Sequence, residues 1–580
     1  MISTTNGNSY EFQAWPSLVD TGITQAEIEK KINRCKELTR SQISACRDVH
    51  ASSSSYWRSV SDGSWTDDED FKRINLASQC CAFNHTELMA PAPRAELYPW
   101  ERELLSLPPL YNLSDIASAD RSVIDLLTDT SDGSLTLGSE VKFKVLERKT
   151  IGGDSVWVWL VTTELGASIA ADVVDNKDGS YTASTILPWT GSVRIRAAIA
   201  YHRELFRANL YIQRLFKTTY WFTSTFKSNA GSETTPCSPL PFLPGFPEPE
   251  VCNLTDVNGF PWFCGKPVKK DLLNCSDFVS SKKLNSTSYY PLTEAEEELI
   301  VMLETKSPFM IANNITIIVL PGETDKKVFP QPDVLCDKRN LSLTFDDVSS
   351  SGFFYNKTWM PLACQLPRVE KEFLRKCLNN TQMIIIGDSN SRNQMDIITK
   401  MVNCTEKVNR TQVTWHAPLW CDVEDLGLSI KYYPPKMPFY GSVGEDLPNH
   451  VLYSSVSQLD AIPADGKYLV HLHHFLHLVP FHLSIAEHWL RLIRKAIERL
   501  MARNPHVIVV YQSAFTAFNR YMLMSGFLLQ MQKEILRGLG DRVMFMFTWP
   551  ITIASENHYG HPTVSDQFTQ IYMGHVCGRW

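Results

Sequence analysis

Gln382-Met-Ile-Ile-Ile-Gly-Asp-Ser-Asn-Ser-Arg-Asn-Gln394 is the stretch on which the reading of this 580-residue chain turns. Met383 to Ile386 are consecutive apolar residues rich in β-branched side chains, the pattern of a strand buried on both faces in a parallel sheet. Gly387 ends that strand. Met395, Ile398 and Val402 then recur at helical spacing, so Asp388, Ser389 and Asn390 fall at a strand-to-helix turn, with Asn390 or Ser391 as the expected N-cap. In open α/β sheets ligands bind at the carboxyl edge of the strands, and the free backbone N–H groups that open a helix can stabilise a developing oxyanion. Ser389 is therefore the candidate nucleophile, with Asp388 beside it.

Downstream, the chain alternates strands and helices. Tyr468–Leu472, Val507–Tyr511 and Val543–Phe547 read as strands. Ala486, Trp489, Ile493, Ala496, Ile497 and Leu500 mark the buried face of one helix, and residues 521–536 form another. Repeated βαβ units predict a doubly wound α/β domain with a parallel sheet covered on both faces, over residues 291–580. A serine nucleophile needs a base, usually histidine. Two clusters follow strands, His471, His473, His474 and His477, and later His558 and His561. The first could chelate a metal, but no carboxylate or thiolate sits among its members, and the expected metal complement is none.

Upstream, residues 118–229 change to alternation. Val141–Val145, Val156–Leu160, Tyr181–Ile186 and Val193–Ile199 read as short strands between turn signals such as Asp178-Gly179. They predict an immunoglobulin-like β-sandwich whose role is binding or spacing. Residues 230–290 hold many prolines between Cys237, Cys252, Cys264 and Cys275 and read as a disulfide-stapled linker of open connectivity. Residues 1–95 are a polar region containing an amphipathic helix over 24–50, with Cys35 and Cys46 on one face and Cys80 and Cys81 available as partners.

Fourteen cysteines without zinc-type spacing point to disulfides. Asn84, Asn112, Asn253, Asn274, Asn285, Asn314, Asn340, Asn356, Asn379, Asn403 and Asn409 each head a glycosylation sequon, which with the cysteines argues for the secretory pathway, secreted or in the Golgi lumen. No leader, anchor or apolar run long enough for a membrane span is visible in the sequence. A net charge of −7 without like-charge blocks speaks against a nucleic-acid partner.

Gly387-Asp-Ser-x-x-Arg-Asn-Gln394 resembles the first block of PC-esterase domains, a branch of the SGNH (GDSL-like) hydrolases that includes plant trichome-birefringence-like polysaccharide O-acetyltransferases. Asp175-Asn-Lys-Asp-Gly-Ser-Tyr-Thr182 with Pro188-Trp-Thr-Gly191 is similar to filamin-type repeats. The aromatic, cysteine-bearing Ser351–Cys364 is similar to the lead-in before the Gly-Asp-Ser strand of PC-esterase proteins. That arrangement resembles the neurexophilin and PC-esterase domain family of animals. The resemblance implies glycan O-acetyl transfer or esterase activity, with a sialic-acid-type or polysaccharide acceptor. It implies no bound cofactor, acetyl-CoA or another acetyl donor entering as substrate, and a possible protein partner for the sandwich. It matches His561-Pro562 to the family's catalytic histidine and Arg392-Asn393 to its Arg-Asn pair. It also matches His474-Phe475 to the His-aromatic pair, so that Gly387, Asn390, Arg392, Asn393 and His474 are candidates for substrate or oxyanion contacts. The usual aspartate three residues before the histidine is replaced by His558, and Trp549 is followed by Pro550. Glu556 and Asp566 are the candidate orienting acids. Without one, the alternative is a catalytically impaired secreted or cell-surface binding protein.

Overall fold

A computed structural model of the chain describes residues 99–580 except 129–134, 147–150, 217, 240, 242, 244–245, 247, 256–260, 269–271, 285–291, 307–308, 313–314, 323–325, 409–416, 437–445, 449–453 and 518–521. The expected N-terminal helix, its cysteines, and Asn84, Asn285, Asn314 and Asn409 lie outside the described residues. The described chain is mixed α/β, built on several sheets.

The C-terminal sheet follows from its apolar pattern. Thr381–Gly387 (β1) leads into Ser389–Val402 (α1), and Leu428–Tyr433 (β2), Lys467–His473 (β3), Val507–Gln512 (β4) and Val543–Met546 (β5) pair in the order 2-1-3-4-5. All four of these pairings are parallel, with an antiparallel edge from Leu419–Val423 and Thr405–Glu406 beyond β2. Helices Leu483–Arg503 (α2) and Ser525–Leu536 (α3) precede β4 and β5, and Trp549–Ala554 (α4) and Ser565–Val576 (α5) follow. Successive strand residues point to opposite faces. Met383 and Ile385 accordingly pack with Met395, Ile398 and Val402 of α1 and Phe568 and Tyr572 of α5. Ile384 and Ile386 pack with Trp489, Ile493 and Leu500 of α2. Both faces are covered, which is why β1 is apolar at consecutive positions.

Two further sheets share a core. One joins Val123–Leu126, Glu140–Leu146, Ser180–Ile186 and Asp172–Asp175, and supplies Val141, Phe143, Val145 and Tyr181. The other is centred on Ser155–Thr162 and Gly191–Tyr201, and supplies Val156, Val158 and Leu160. Its opposite face is buried as well: Trp157 and Trp159 join the core of the α/β domain, and the Trp157 and Trp549 rings meet edge-on at 6.0 Å. Strand Ser155–Thr162 is therefore apolar almost throughout instead of alternating.

Three spans differ from expectation. Ile315–Leu320 and the hairpin of Gly352–Tyr355 with Thr358–Pro361, anticipated within residues 291–580, are strands of the second of these sheets. The expected linker contributes four strands to a six-stranded antiparallel sheet, completed by Trp221–Ser228 before it and Asp446–Pro448 of the C-terminal region at one edge, and Cys237–Cys264 and Cys252–Cys275 are bonded within it. Apart from the hairpin of Trp221–Ser228 with Gly231–Ser238, its ladders join segments ten or more residues apart, and the proline-rich spacing between cysteines carries no trace of them. Helix Arg203–Phe216 follows Gly191–Tyr201 in the chain and precedes Trp221–Ser228 of this sheet. Ten cysteines form five disulfides among the described residues, Cys336–Cys364, Cys377–Cys577 and Cys404–Cys421 completing the set. No helix among the described residues is long and apolar enough to cross a membrane.

Candidate active site

Strand order reverses at β1, whose neighbours β2 and β3 both follow it in the chain, so a crevice opens at the carboxyl end between β1 and β3. Ser389 stands there as the first residue of α1. Asp388 caps the helix through Oδ1, which accepts from the Asn390 N–H at 2.9 Å; the cap thus lies before Asn390 and Ser391, where it was expected. The turn is held tightly. Tyr432 on β2 donates from its hydroxyl to the carbonyls of Gly387 at 3.1 Å and Asp388 at 3.4 Å. A Cβ on Gly387 would fall 2.4 Å from the His473 carbonyl oxygen and 2.1 Å from Ser391 Oγ, a space only glycine fits.

His561 lies in the connection between α4 and α5, and its Nε2 is 2.7 Å from Ser389 Oγ, joining residues 172 apart in sequence. The loop's far end is tied to the helix that begins at Ser389: Gln394 Nε2 donates to the Ser565 carbonyl at 3.0 Å, and Thr569 Oγ1 donates to Gln394 Oε1 at 2.6 Å. A hydroxyl bonded to an imidazole at the positive end of a fourteen-residue helix has a base for its proton and a favourable field for negative charge.

The remaining candidates take different positions. Asn390 is buried beside Ser389, and both polar atoms of its side chain, like Asp388 Oδ2, lack a hydrogen-bond partner among the described residues. Arg392 and Asn393 are half-buried on the first turn of α1. The strand expected to end at Leu472 reaches His473, which draws the first histidine cluster into the fold. His473 Nδ1 donates to the Gln512 carbonyl at 3.1 Å while its Nε2 is 4.0 Å from Asp388 Oδ1. Burial depresses its pKa against the opposing pull of Asp388. His474 Nε2 pairs with Ser455 Oγ at 2.7 Å, and His471 Nε2 with Gln512 Oε1 at 3.2 Å. Burial pushes His471 and His474 down to about 3, so both are neutral donors or acceptors at pH 7. Two of the three imidazoles thus bond Gln512 and the third bonds Ser455.

Neither candidate acid is bonded to His561. Glu556 accepts from Arg196 Nη1 at 2.6 and 2.7 Å and from Trp159 Nε1 at 2.9 Å, both residues of the sandwich. Asp566 is exposed and accepts from Gln567 Nε2 at 2.9 Å. Among the described residues no carboxylate lies within hydrogen-bond distance of His561. Tyr432, Gln512, Ser455 and the Arg196–Trp159 pair escaped the sequence reading, because each is brought to its partner by tertiary packing that no local pattern records. Asn112, Asn253, Asn274, Asn340, Asn356, Asn379 and Asn403, the sequon asparagines that are described, are all exposed.

Residues 359–577 match the family model described as NXPE family member 4-like, C-terminal domain. Over 118 residues the chain is 28% identical to protein trichome birefringence-like 31 of Arabidopsis thaliana, a match that covers 20% of this chain and 28% of that protein. The chain thus spans little more than a quarter of the length of this curated relative.

Proposed function

We propose that this protein, whose residues 359–577 match the NXPE family member 4-like C-terminal domain, transfers or hydrolyses O-acyl groups, acetyl above all, on glycan hydroxyls. The observation that carries the reading is the 2.7 Å approach of His561 Nε2 to Ser389 Oγ at the mouth of the crevice. Ser389 Oγ attacks the acyl carbon while His561 Nε2 accepts its proton. The tetrahedral oxyanion is met by the Ser389 N–H at the α1 N-terminus, a kind of contact worth roughly 10²–10³ in rate. Collapse expels the donor's leaving group, which takes the proton from His561 and leaves an acyl-serine. A glycan hydroxyl or water then attacks the acyl carbon as His561 takes its proton. Collapse breaks the bond to Ser389 Oγ, which regains the proton from His561 as the new ester or free acid leaves. The five disulfides and the exposed sequon asparagines support work in a secretory lumen. A sialylated glycan or a polysaccharide is the acceptor class, with acetyl-CoA or another activated acetyl ester as donor.

The test is labelling of the lumenally expressed protein with a fluorophosphonate probe. Labelling is expected in the wild type, none in Ser389→Ala, and a rate lowered about 10²–10⁴-fold in His561→Ala. Acetyl transfer to sialylated glycans and to polysaccharide, each against a water blank, then separates transferase from esterase. The absence of a carboxylate on His561 among the described residues favours a second reading, a binding protein with an impaired site. A folded, disulfide-complete wild type that takes up no probe would select it.

A further inference from the structure

We infer that the β-sandwich is part of the acyl-transfer apparatus: through Arg196 and Trp159 it grips Glu556, which acts as a positioning residue for the loop that presents His561. The inference rests on the reading of Ser389 and His561 given above. Trp159 and Arg196 are directly opposed on neighbouring antiparallel strands, and the Arg196 guanidinium lies 5.5 Å from the Trp159 ring centroid. The pair therefore forms a rigid, preformed receptor for one carboxylate, which both donors approach from the same sheet face. Arg196 bonds both Glu556 oxygens and Trp159 bonds one.

The gripped residue is itself unusual. Glu556 has φ +52°, a left-handed conformation that a residue with a side chain keeps only where its surroundings over-determine it. It stands at the start of the segment between α4 and α5, five residues before His561. The next residue continues the clamp: Asn557 Nδ2 donates to the carbonyls of Thr516 and Tyr559, both at 2.8 Å. The far end is locked to α1 by Gln394. The His561 loop is thus referenced at one end to the nucleophile's helix and at the other to the sandwich. A base must be held to within a fraction of an ångström, and a displacement of about 1 Å costs on the order of 100-fold in rate. With no carboxylate bonded to His561 among the described residues, loop anchorage supplies the orientation that an acid would otherwise give.

The experiment compares fluorophosphonate labelling rates across pH for the full chain, wild type beside Glu556→Gly, Arg196→Met, Arg196→Lys and the Glu556→Gly/Arg196→Met double variant. Glycine accepts the left-handed backbone, so Glu556→Gly reports the carboxylate tether alone. Labelling is expected to slow about 10- to 100-fold in Glu556→Gly and Arg196→Met, with no further loss in the double variant and partial recovery in Arg196→Lys. The pH midpoint of labelling should also move, which a contact that only joins domains would leave in place. Folded variants that label at the wild-type rate and pH midpoint overturn the inference while the serine reading stands. Should those variants fail to fold, Trp159→Phe removes one donor and keeps an aromatic ring; slowed labelling supports the tether and an unchanged rate overturns it. A wild type that takes no probe overturns the serine reading and the inference together.

Discussion

Asp388 directs Oδ1 to the Asn390 N–H, with that same oxygen 4.0 Å from Nε2 of the buried His473, and leaves Oδ2 without a partner among the described residues. The contact that matters for the turn is the cap, which either an aspartate or an asparagine oxygen can make. Asp388→Asn should therefore stay within about 0.5 kcal/mol of the wild type, whereas Asp388→Ala should lose about 1–2 kcal/mol, both read from urea midpoints. Equal losses would show that the charge near His473, not the cap, is what the fold requires. Local spacing misplaced this cap because Asn390 and Ser391 are equally good capping types, and only the backbone path out of β1 separates them.

At the scale of elements, the strand and helix that carry Ser389 are clamped by covalent links as well as by packing. Cys377–Cys577 joins the short helix Lys371–Cys377 before β1 to the residue after α5 and closes 200 residues, while Cys404–Cys421 closes 17 at the sheet edge. Constraint of the unfolded chain grows with the logarithm of loop length. Paired Cys→Ser replacement at the first bridge should cost up to about 5 kcal/mol and at the second up to about 3, measured by thermal or urea unfolding without reductant. The reverse ranking would mean that strain or residual unfolded structure outweighs loop closure. Helix α5 also bonds α1 through Gln394 and Thr569, so the first bridge secures the element that frames the Ser389–His561 approach.

Across the whole molecule, several histidines are almost fully buried. Burial pushes His471 and His474 down to about 3 and His575 to about 4, against about 6.5 for the free side chain. A depressed folded pKa means that the unfolded chain binds the proton first. Their contribution is complete above about pH 6.5 and is lost as the pH falls toward 4 and then 3, each group adding a slope of up to about 1.4 kcal/mol per pH unit. Urea midpoints should be level between about pH 7 and 8 and drop steadily below about 6. A level profile down to pH 4 would show that these rings are protonated in the folded protein. The same burial holds the first histidine cluster, read as a candidate chelate, in hydrogen bonds within the fold: His471 and His473, two apart on one strand, share a face and both bond Gln512, through its side-chain and backbone oxygens, while His474 beyond the strand end bonds Ser455.

The sequence by itself determined the elements whose burial is written locally. A doubly covered parallel strand must be apolar at every position, an amphipathic helix at every third or fourth, and a glycine must stand where β1 passes close to the His473 carbonyl. Ser389 and His561 could be named because each follows such an element in an order that a known family shares. Tertiary structure alone decided what depends on pairing between distant segments. It carried Gly352–Pro361 into the sandwich sheet, turned the proline-rich linker into a sheet, set His561 at 2.7 Å from Ser389, and gave Glu556 to Arg196 and not to His561. Periodicity records which face of an element is buried, while the partner that buries it is selected by the whole chain at once.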